Sequence, residues 1–186
     1  MRRSLLFLVL LLFSFMVQAE DTILKLYRPF GDDTENNKRI ITRTLQGDCL
    51  SQSKYIVRED AWRCHAQGVV FDPCFVKAAP RQKNLLCPQS PWSNENVQIE
   101  VSSALNNEGH ELLDMSRTFP WAIELIDGDK CQAIEAGEVY DSLPVRYRCA
   151  SKNILIGRIQ RCDPAWSMLE KTSQQVVTAQ LKRAWF

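Results

Sequence analysis

Short stretches in which apolar and polar residues alternate are the main pattern of this chain. Residues 97–101 and 177–181 both follow a two-residue period, which is typical of a strand with one buried face. Residues 121–126 and 131–134 alternate on either side of a turn that contains Asp127-Gly128, and this arrangement predicts a β-hairpin. No long helical period occurs after residue 19. We therefore predict a mainly β fold with short helical insertions.

Two parts of the chain resemble each other. Trp62-Arg63-Cys64 precedes residues 68–71, and Tyr147-Arg148-Cys149 precedes the similar residues 153–156. Each pattern predicts two strands joined by a tight turn. The further matching positions are Cys87 with Cys162 and Trp92-Ser93 with Trp166-Ser167. We therefore predict two related halves, with chance similarity as the alternative because the matches are short.

The start of the chain has the layout of a secretory signal peptide over residues 1–19. Arg2 and Arg3 precede an apolar run, and Ala19 supplies a small residue before a cleavage point. Because this run is shorter than the ~20 residues of a membrane-spanning helix, we predict cleavage after Ala19; an uncleaved N-terminal anchor is the alternative. The chain has no Asn-x-Ser/Thr sequon, which favours bacterial export, either to the periplasm or as a secreted protein.

The remaining chain divides into an N-terminal arm or linker over residues 20–47 and a disulfide-stapled β domain over residues 48–186. Within the arm, residues 22–27 could form a short strand. Residues 31–47 are rich in Asp, Asn, Thr and Gly and have no apolar period, which is typical of a linker or loosely packed segment. The domain has the length of a single domain. A short helix is predicted within it at residues 111–116.

Composition and charge restrict the partners. The chain of 186 residues is 45% hydrophobic and carries 23 Lys and Arg against 22 Asp and Glu. This composition supplies enough apolar material for a packed core but no strong overall field to hold a phosphate backbone or an anionic membrane surface. We therefore predict no nucleic-acid partner, and no transmembrane anchor after cleavage.

Seven cysteines in an exported protein are expected to form disulfides. None of the gaps between them has the spacing of a zinc or redox motif, so we predict no metal and no cofactor. Spacing alone leaves many pairings open. Alignment of the halves leaves Cys74 without a counterpart, and the simplest framework with short loops leaves Cys162 as a free thiol, which could join two chains covalently. The predicted disulfides are Cys49–Cys64, Cys74–Cys87 and Cys131–Cys149.

Several motifs around these cysteines resemble those of a known class of proteins. The motifs are Asp60-Ala61-Trp62-Arg63-Cys64, Phe71-Asp72-Pro73-Cys74-Phe75, Pro91-Trp92, Pro120-Trp121 and Asp127-Gly128 before Cys131. From Cys49 to Gly157 the chain resembles exported bacterial cysteine-stapled proteins of unassigned function. The resemblance implies a secreted domain held by disulfides and no particular activity. Cys162 lies outside that pattern, which agrees with its being unpaired.

Candidate catalytic residues are few. His65 directly follows Cys64, and a cysteine in a disulfide cannot act as the thiolate of a Cys-His pair. His110 lies in a polar loop, where we expect it to be solvated, and no Gly-x-Ser-x-Gly motif occurs. The acidic residues lack the spacing of a calcium loop, so we expect turns or caps. They are Asp60, Asp72, Asp127 and Asp129.

Five tryptophans could form a platform for a sugar or a peptide, but most lie near prolines or cysteines. Large aromatic side chains at such places are expected to cover disulfides in a core. Trp185 beside Phe186 is the exception, because this aromatic pair could contact a partner or simply close the last strand. The other four tryptophans are Trp62, Trp92, Trp121 and Trp166.

These observations favour an exported non-catalytic domain that binds a protein or a cell-envelope component. A scaffold with short disulfide loops suits binding, because preorganised loops lose less entropy on association. The alternative is a secreted hydrolase with an unrecognised active site. Polarity suggests a contact surface at residues 78–84, which include Arg81 and Lys83, and at residues 94–96 and 106–110.

Overall fold

The structure is a computed structural model that describes residues 20–30, 39–77, 83–162 and 164–186. Over these residues the chain forms fourteen strands and no helix, which confirms the prediction of a mainly β fold. The strands are β1 (Ile23–Lys25), β2 (Ile40–Gln46), β3 (Asp48–Gln52), β4 (Ala61–Ala66), β5 (Val69–Val76), β6 (Asn84–Pro88), β7 (Glu95–Glu100), β8 (Ala122–Leu125), β9 (Lys130–Ala133), β10 (Val139–Tyr140), β11 (Leu143–Cys149), β12 (Ile154–Arg161), β13 (Trp166–Lys171) and β14 (Val176–Trp185).

The first sheet has the strand order β2-β7-β6-β5-β4-β3. Its two edge strands are separated only by Gly47, with β2 parallel to β7 and β3 antiparallel to β4. A Cβ atom at Gly47 would lie 2.6 Å from the carbonyl oxygen of His65, so a side chain cannot be accommodated where the chain passes β4. One continuous length of chain therefore supplies both edges of this sheet.

The second sheet is a closed ring of six strands in the order β8-β14-β13-β12-β11-β9, with β9 paired back to β8. The first half of β14 pairs with β13 and its second half with β8. Beyond the end of β13, β1 takes the place beside β14 and runs parallel to it. The predicted hairpin around Asp127-Gly128 is confirmed as β8 and β9, with Gly128 at a φ of 90°.

The two sheets have the same strand order if β1 and β10 are left aside. In each sheet, the strand that comes first in the chain (β2 or β8) is followed by the last strand (β7 or β14), and the others then follow in reverse chain order. Cys64 on β4 and Cys149 on β11 occupy corresponding strands, as the sequence comparison predicts. The predicted equivalence of Cys87 and Cys162 is wrong, because Cys87 lies on β6 and Cys162 lies between β12 and β13. The duplication itself stays a hypothesis.

Parts of the predicted arm belong to the sheets. Residues 22–27 contain β1, which confirms the short strand. Residues 40–46, predicted to be loosely packed, form β2 and pair with β7 along its length. That interpretation is wrong because backbone pairing, and not an apolar side-chain period, holds β2 in place: nearly all of its side chains are exposed. Residues 31–38 and the predicted signal peptide lie outside the described residues.

The short helix predicted at residues 111–116 is wrong, because the segment forms a turn. The Asp114 carboxylate accepts hydrogen bonds from the Ser116 N–H and hydroxyl, at 3.0 and 2.6 Å. Side-chain bonds of this kind compete with helix formation. Leu112 is 74% exposed, so the segment also lacks the buried apolar face that would stabilise a helix.

Three apolar clusters fill the molecule, one within each sheet and one between the sheets. In the third cluster, the ring centroid of Tyr27 lies 5.2 Å from that of Trp121 and 5.3 Å from that of Phe75. This cluster combines residues of both sheets, so it packs the first half of the molecule (β2 to β7) against the second half (β8 to β14). Its largest members are Tyr27, Ile56, Phe75, Trp121, Trp185 and Phe186.

Trp185 and Phe186 are buried, so the interpretation as an exposed aromatic pair is wrong. The Phe186 N–H donates to the Lys25 carbonyl over 2.8 Å, and the Tyr27 N–H donates to the Phe186 carbonyl over 2.6 Å. The pair therefore closes the last strand, as the alternative interpretation of the sequence predicts. Core packing is confirmed for Trp62 and Trp121 as well. The half-buried tryptophans, which pack against the clusters, are Trp92 and Trp166.

The structure contains three disulfides in the pairing that the sequence predicts, each between two adjacent strands. They are Cys49–Cys64, Cys74–Cys87 and Cys131–Cys149. Cys162 is unpaired and exposed. Several disulfides in a small domain are typical of exported proteins. Within the described ranges, no helix has the length and apolar character to cross a membrane.

Candidate functional site

A cavity of about 230 Å³, here called the junction pocket, lies where the two halves meet. Residues 54–57 of the first half line one part of it, and the end of β9 with the residues after it and the middle of β11 line another. Residues 117–119, in the connection between the halves, complete it. Every charged side chain that lines the pocket among the described residues is a cation. These cations are Lys54, Arg117 and Arg146.

Arg146 is directed by an irregularity in β11. Val145 pairs with Ile156, and Tyr147 pairs with Leu155, which is adjacent to Ile156 on β12. Arg146 lies between these two pairs without a partner of its own, so it is the extra residue of a β-bulge. Bulges re-aim a side chain relative to the regular alternation of a strand. The Nε atom of Arg146 is buried and has no hydrogen-bond partner among the described residues. Arg146 therefore has unused hydrogen-bonding capacity beside the pocket.

Two guanidinium groups make cation–π contacts with the ring of Phe119. The Cζ atom of Arg146 is 4.7 Å from its ring centroid, and that of Arg161 is 5.7 Å away. Arg161 also donates from Nη2 to the Thr118 carbonyl over 2.8 Å and lies over the ring of Trp166 at 5.1 Å. These cation–π contacts hold the arginines without neutralising them. The contacts with the aromatic rings therefore hold the positive charges of Arg146 and Arg161 in place and do not neutralise them.

Tyr147 contributes a buried phenol to the pocket. Its hydroxyl donates to the Pro120 carbonyl over 2.7 Å, and its side chain has no exposed surface. Burial raises the pKa of Tyr147 well above its ordinary value. Tyr147 therefore stays protonated and neutral at physiological pH, and it adds no negative charge to the cationic lining.

At the rim of the pocket, one carboxylate of the second half bridges to cations of the first. Glu135 lies 2.6 Å from Lys54 Nζ and 3.4 Å from Arg63 Nη2. The hydrogen bond from Lys54 and the nearby charge of Arg63 lower the pKa of Glu135. Because Lys54 and Glu135 are each about half exposed, this pair contributes little to stability. Arg117 and Arg146 form no ion pair within 4.0 Å among the described residues. Arg117 is nevertheless near a carboxylate, because hydrogen bonds from Ser116 and then the charges of Arg117 and Arg161 lower the pKa of Asp114.

Asp72 lies behind the rim and is almost fully buried, with 1% of its side chain exposed. Its carboxylate accepts hydrogen bonds from the Ser53 hydroxyl at 2.5 Å, the Lys54 N–H at 3.1 Å and Arg63 Nη1 at 3.2 Å. Asp72 lies within β5, so the expected turn or cap is wrong; it joins β5 to the segment after β3. Burial raises the pKa of Asp72, against the opposing effect of these donors.

We predict that the contribution of Asp72 to stability depends on pH. Because its pKa is higher in the folded chain, the contribution is fully present below the ordinary value of 3.8 and is lost as pH rises through the raised pKa. The neutral variant Asp72→Asn lacks this dependence. Urea unfolding between about pH 3 and about pH 7 measures the free energy of unfolding of the wild type and of the variant. The value for the wild type minus the value for the variant should fall as pH rises. A difference that rises with pH would contradict the prediction. It would show that the ion pair with Arg63 affects the pKa of Asp72 more than burial does.

The two histidines have different surroundings in the described structure. His65 is exposed on β4 opposite Asp48. His110 is half-buried, and its ring centroid lies 4.2 Å from that of Trp62. Its Nδ1 lies 3.0 Å from the carbonyl oxygen of Glu59. The expectation that His110 is solvated is wrong, because the loop folds back onto Trp62.

The remaining acidic candidates have structural partners. The Asp129 N–H donates to Asp127 Oδ1 over 2.9 Å, which confirms the hairpin turn, and Asp60 pairs with Arg58. Two groups of potential metal ligands lie close together in the described structure, but each contains cysteines that are in disulfides and offer no thiolate. The groups are Cys64 with Cys74 and Cys87, and Cys131 and Cys149 with Asp129.

The polar loops predicted as a contact surface do not line the junction pocket where they are described. Residues 78–82, which include Arg81, lie outside the described residues. Lys83 donates to the Ser102 carbonyl over 2.9 Å, and Asn96 is only 1% exposed. The Asn107 side chain donates to the Glu59 carbonyl over 3.1 Å. A role for these loops in binding stays a prediction.

Sequence reasoning missed the cations of the junction pocket. Lys54, Arg117 and Arg146 lie in three separate segments of the chain, and no motif relates them. The bulge at Arg146 also has no signal in the local sequence, which reads as an ordinary strand. Only the packing of the two halves brings these residues together.

No family model, curated protein or solved structure matches this chain.

Proposed function

We propose that this protein is an exported, non-catalytic binding domain that recognises an anionic group of a cell-envelope component or a protein through the junction pocket. The observation that carries this proposal is the lining of the pocket, whose charged side chains are the cations Lys54, Arg117 and Arg146. Guanidinium groups present several donors in a planar fork, which suits the oxygens of a phosphate or carboxylate.

The pocket is organised before a ligand enters. Arg146 lies on a bulge and stacks against Phe119, and the Cys131–Cys149 disulfide joins β9 to β11, which both line the cavity. A site built on stapled strands loses less conformational entropy on binding than one built on mobile loops. The aromatic side chains of Tyr55 and Phe119 also line the pocket.

Export to the periplasm or the medium is part of the same proposal. It is supported by the basic start and apolar run of residues 1–19, by the three disulfides and by the resemblance to exported cysteine-stapled bacterial proteins. An anionic ligand is therefore expected in the cell envelope or outside the cell.

We predict that mature protein binds inorganic phosphate and that Arg146→Gln weakens this binding about tenfold or more, because a charge-assisted hydrogen bond contributes about 1.5 to 3 kcal/mol. Isothermal titration at low ionic strength measures the affinity. The matched control is Arg148→Gln on the same strand, because Arg148 is exposed, pairs with Glu138 and does not line the pocket. Equal affinity in both variants, or no phosphate binding by the wild type, contradicts the proposal.

A screen with ester, phosphate-ester and glycoside substrates tests the non-catalytic part of the proposal. Turnover by wild type that Arg146→Gln abolishes and Arg148→Gln preserves would make the junction pocket an active site. Phosphate binding without turnover supports a binding domain.

A further inference from the structure

A second and larger cavity of about 590 Å³, here called the groove, is lined by residues of β11, β12, β13 and β14 and shares Arg146 with the junction pocket. Its lining combines apolar side chains with guanidinium groups and, among the described residues, includes no Asp or Glu. The apolar members are Leu143, Pro144, Met168 and Leu169, the cations are Arg146 and Arg158, and the uncharged polar members are Gln160, Ser167 and Thr178. Its volume is within the range of about 300 to 1,000 Å³ that is usual for small-molecule sites.

Arg146 lines both cavities. Along β11, Leu143 and Pro144 belong to the groove, Val145 belongs to the junction pocket, and Arg146 belongs to both. The groove is therefore next to the pocket at Arg146. A ligand with an anionic group beside Arg146 can extend along β11 toward Leu143 and Pro144.

An interruption of the sheet lies at the groove. Ile156 pairs with Leu169, whereas the next paired residue of β12 is Gln160, which pairs with Ser167. Residues 157–159 therefore face the single residue Met168 on β13. Gly157 lies at the start of this irregularity with a φ of 78°, a conformation that favours glycine. Such bulges are common next to binding sites, because they locally interrupt the hydrogen-bond ladder.

We infer that the ligand is a single-chain amphiphile whose phosphate or carboxylate head binds in the junction pocket and whose alkyl chain lies in the groove. This inference rests on the proposed function and names its ligand class. Charge complementarity selects an anionic head, because cations line both cavities and carboxylates line neither in the described structure. Leu169 is 37% exposed and Leu143 is half-buried, so an alkyl chain would cover apolar surface that is now partly in contact with water.

The test compares four ligands by titration calorimetry below their critical micelle concentrations: inorganic phosphate, butyl phosphate, octyl phosphate and octyl glucoside. Each buried methylene tightens binding about fourfold, so octyl phosphate should bind at least about tenfold more tightly than butyl phosphate. Octyl glucoside, which has the same chain and no charge, should bind at least about tenfold more weakly than octyl phosphate.

Variants separate the head from the chain. Leu169→Ser should weaken octyl phosphate at least about fivefold and leave inorganic phosphate unchanged, because it removes apolar surface of the groove only. Its matched control is Leu112→Ser, since Leu112 is 74% exposed and lines neither cavity. Arg146→Gln should weaken both phosphate ligands, and Arg148→Gln should weaken neither. Retained binding of inorganic phosphate by Leu169→Ser also shows that this variant is folded.

The outcomes distinguish the two proposals. If butyl and octyl phosphate bind equally and Arg146→Gln weakens both, the amphiphile inference is wrong and the anion-binding function stands. If no phosphate compound binds, both are wrong. If octyl glucoside binds as tightly as octyl phosphate, the anionic head has no role, and the ligand class inferred here is wrong.

Discussion

Replacement of Arg58 by methionine is expected to lower the free energy of unfolding by about 3 kcal/mol, near the lower end of the range for removing one partner of a buried ion pair. Arg58 is 5% exposed. Its Nε atom lies 2.6 Å from Asp60 Oδ1, and its Nη1 donates to the carbonyls of Tyr27 and Phe186 over 2.6 and 3.1 Å. Methionine preserves much of the side-chain volume but leaves these acceptors without their donor.

The structural consequence should extend beyond one ion pair. Tyr27 follows β1 and Phe186 follows β14, whereas Arg58 precedes β4 of the first sheet. Arg58 therefore ties the two halves together, and its guanidinium carbon lies 4.9 Å from the ring centroid of Phe75 in the cluster between them. Loss of these contacts should loosen the junction as well as lower the overall stability.

Urea unfolding followed by tryptophan fluorescence measures this effect, with Arg148→Met as the matched control. The Arg148–Glu138 pair is largely exposed, and exposed pairs contribute at most about 1 kcal/mol. Equal losses for the two variants would show that Arg58 acts only as surface charge and would refute the prediction.

Removal of the Cys131–Cys149 disulfide by a double substitution to alanine is expected to lower the free energy of unfolding by about 3 kcal/mol. The bond closes a loop with a sequence separation of 18, and without it the unfolded chain gains conformational entropy. Because β9 and β11 both contribute to the junction pocket, this variant should also bind phosphate more weakly.

The Cys74–Cys87 pair provides the matched control for that second effect. Its sequence separation of 13 predicts a similar loss of stability of about 3 kcal/mol. Neither β5 nor β6 lines the junction pocket, so phosphate affinity should be unchanged in the folded variant. Urea unfolding and calorimetric titration of both double variants test the distinction. An equal loss of affinity in the two would contradict a local role for the Cys131–Cys149 disulfide.

Local patterns predicted the parts of this fold that depend on local interactions. Asp127-Gly128 lies between two alternating stretches, and the β8–β9 hairpin forms there because the turn and its flanking strands are neighbours in the chain. The predicted cysteine pairing agrees with the structure because each disulfide joins strands that are adjacent along a meander. Short loops between paired strands make local pairing the simplest arrangement.

Local patterns failed where distant segments supply the stabilising contacts. Residues 40–46 lack a core-facing apolar period, yet they form a strand because β7 offers its backbone groups. Trp185 and Phe186 look like an exposed aromatic end, yet they are buried by packing between the two sheets. In each case the partner is far away in the chain, and a window of neighbouring residues contains no information about it.

The amino-acid sequence alone was sufficient for the fold class, the hairpin signals and a disulfide framework, because turn chemistry, alternation and short loops between neighbouring cysteines are local features. The candidate site was not accessible in this way. The totals of 23 basic and 22 acidic residues average over the whole chain and conceal a local excess of positive charge. Lys54, Arg117 and Arg146 share one cavity because two sheets pack together and a bulge redirects one side chain, and both are consequences of long-range packing.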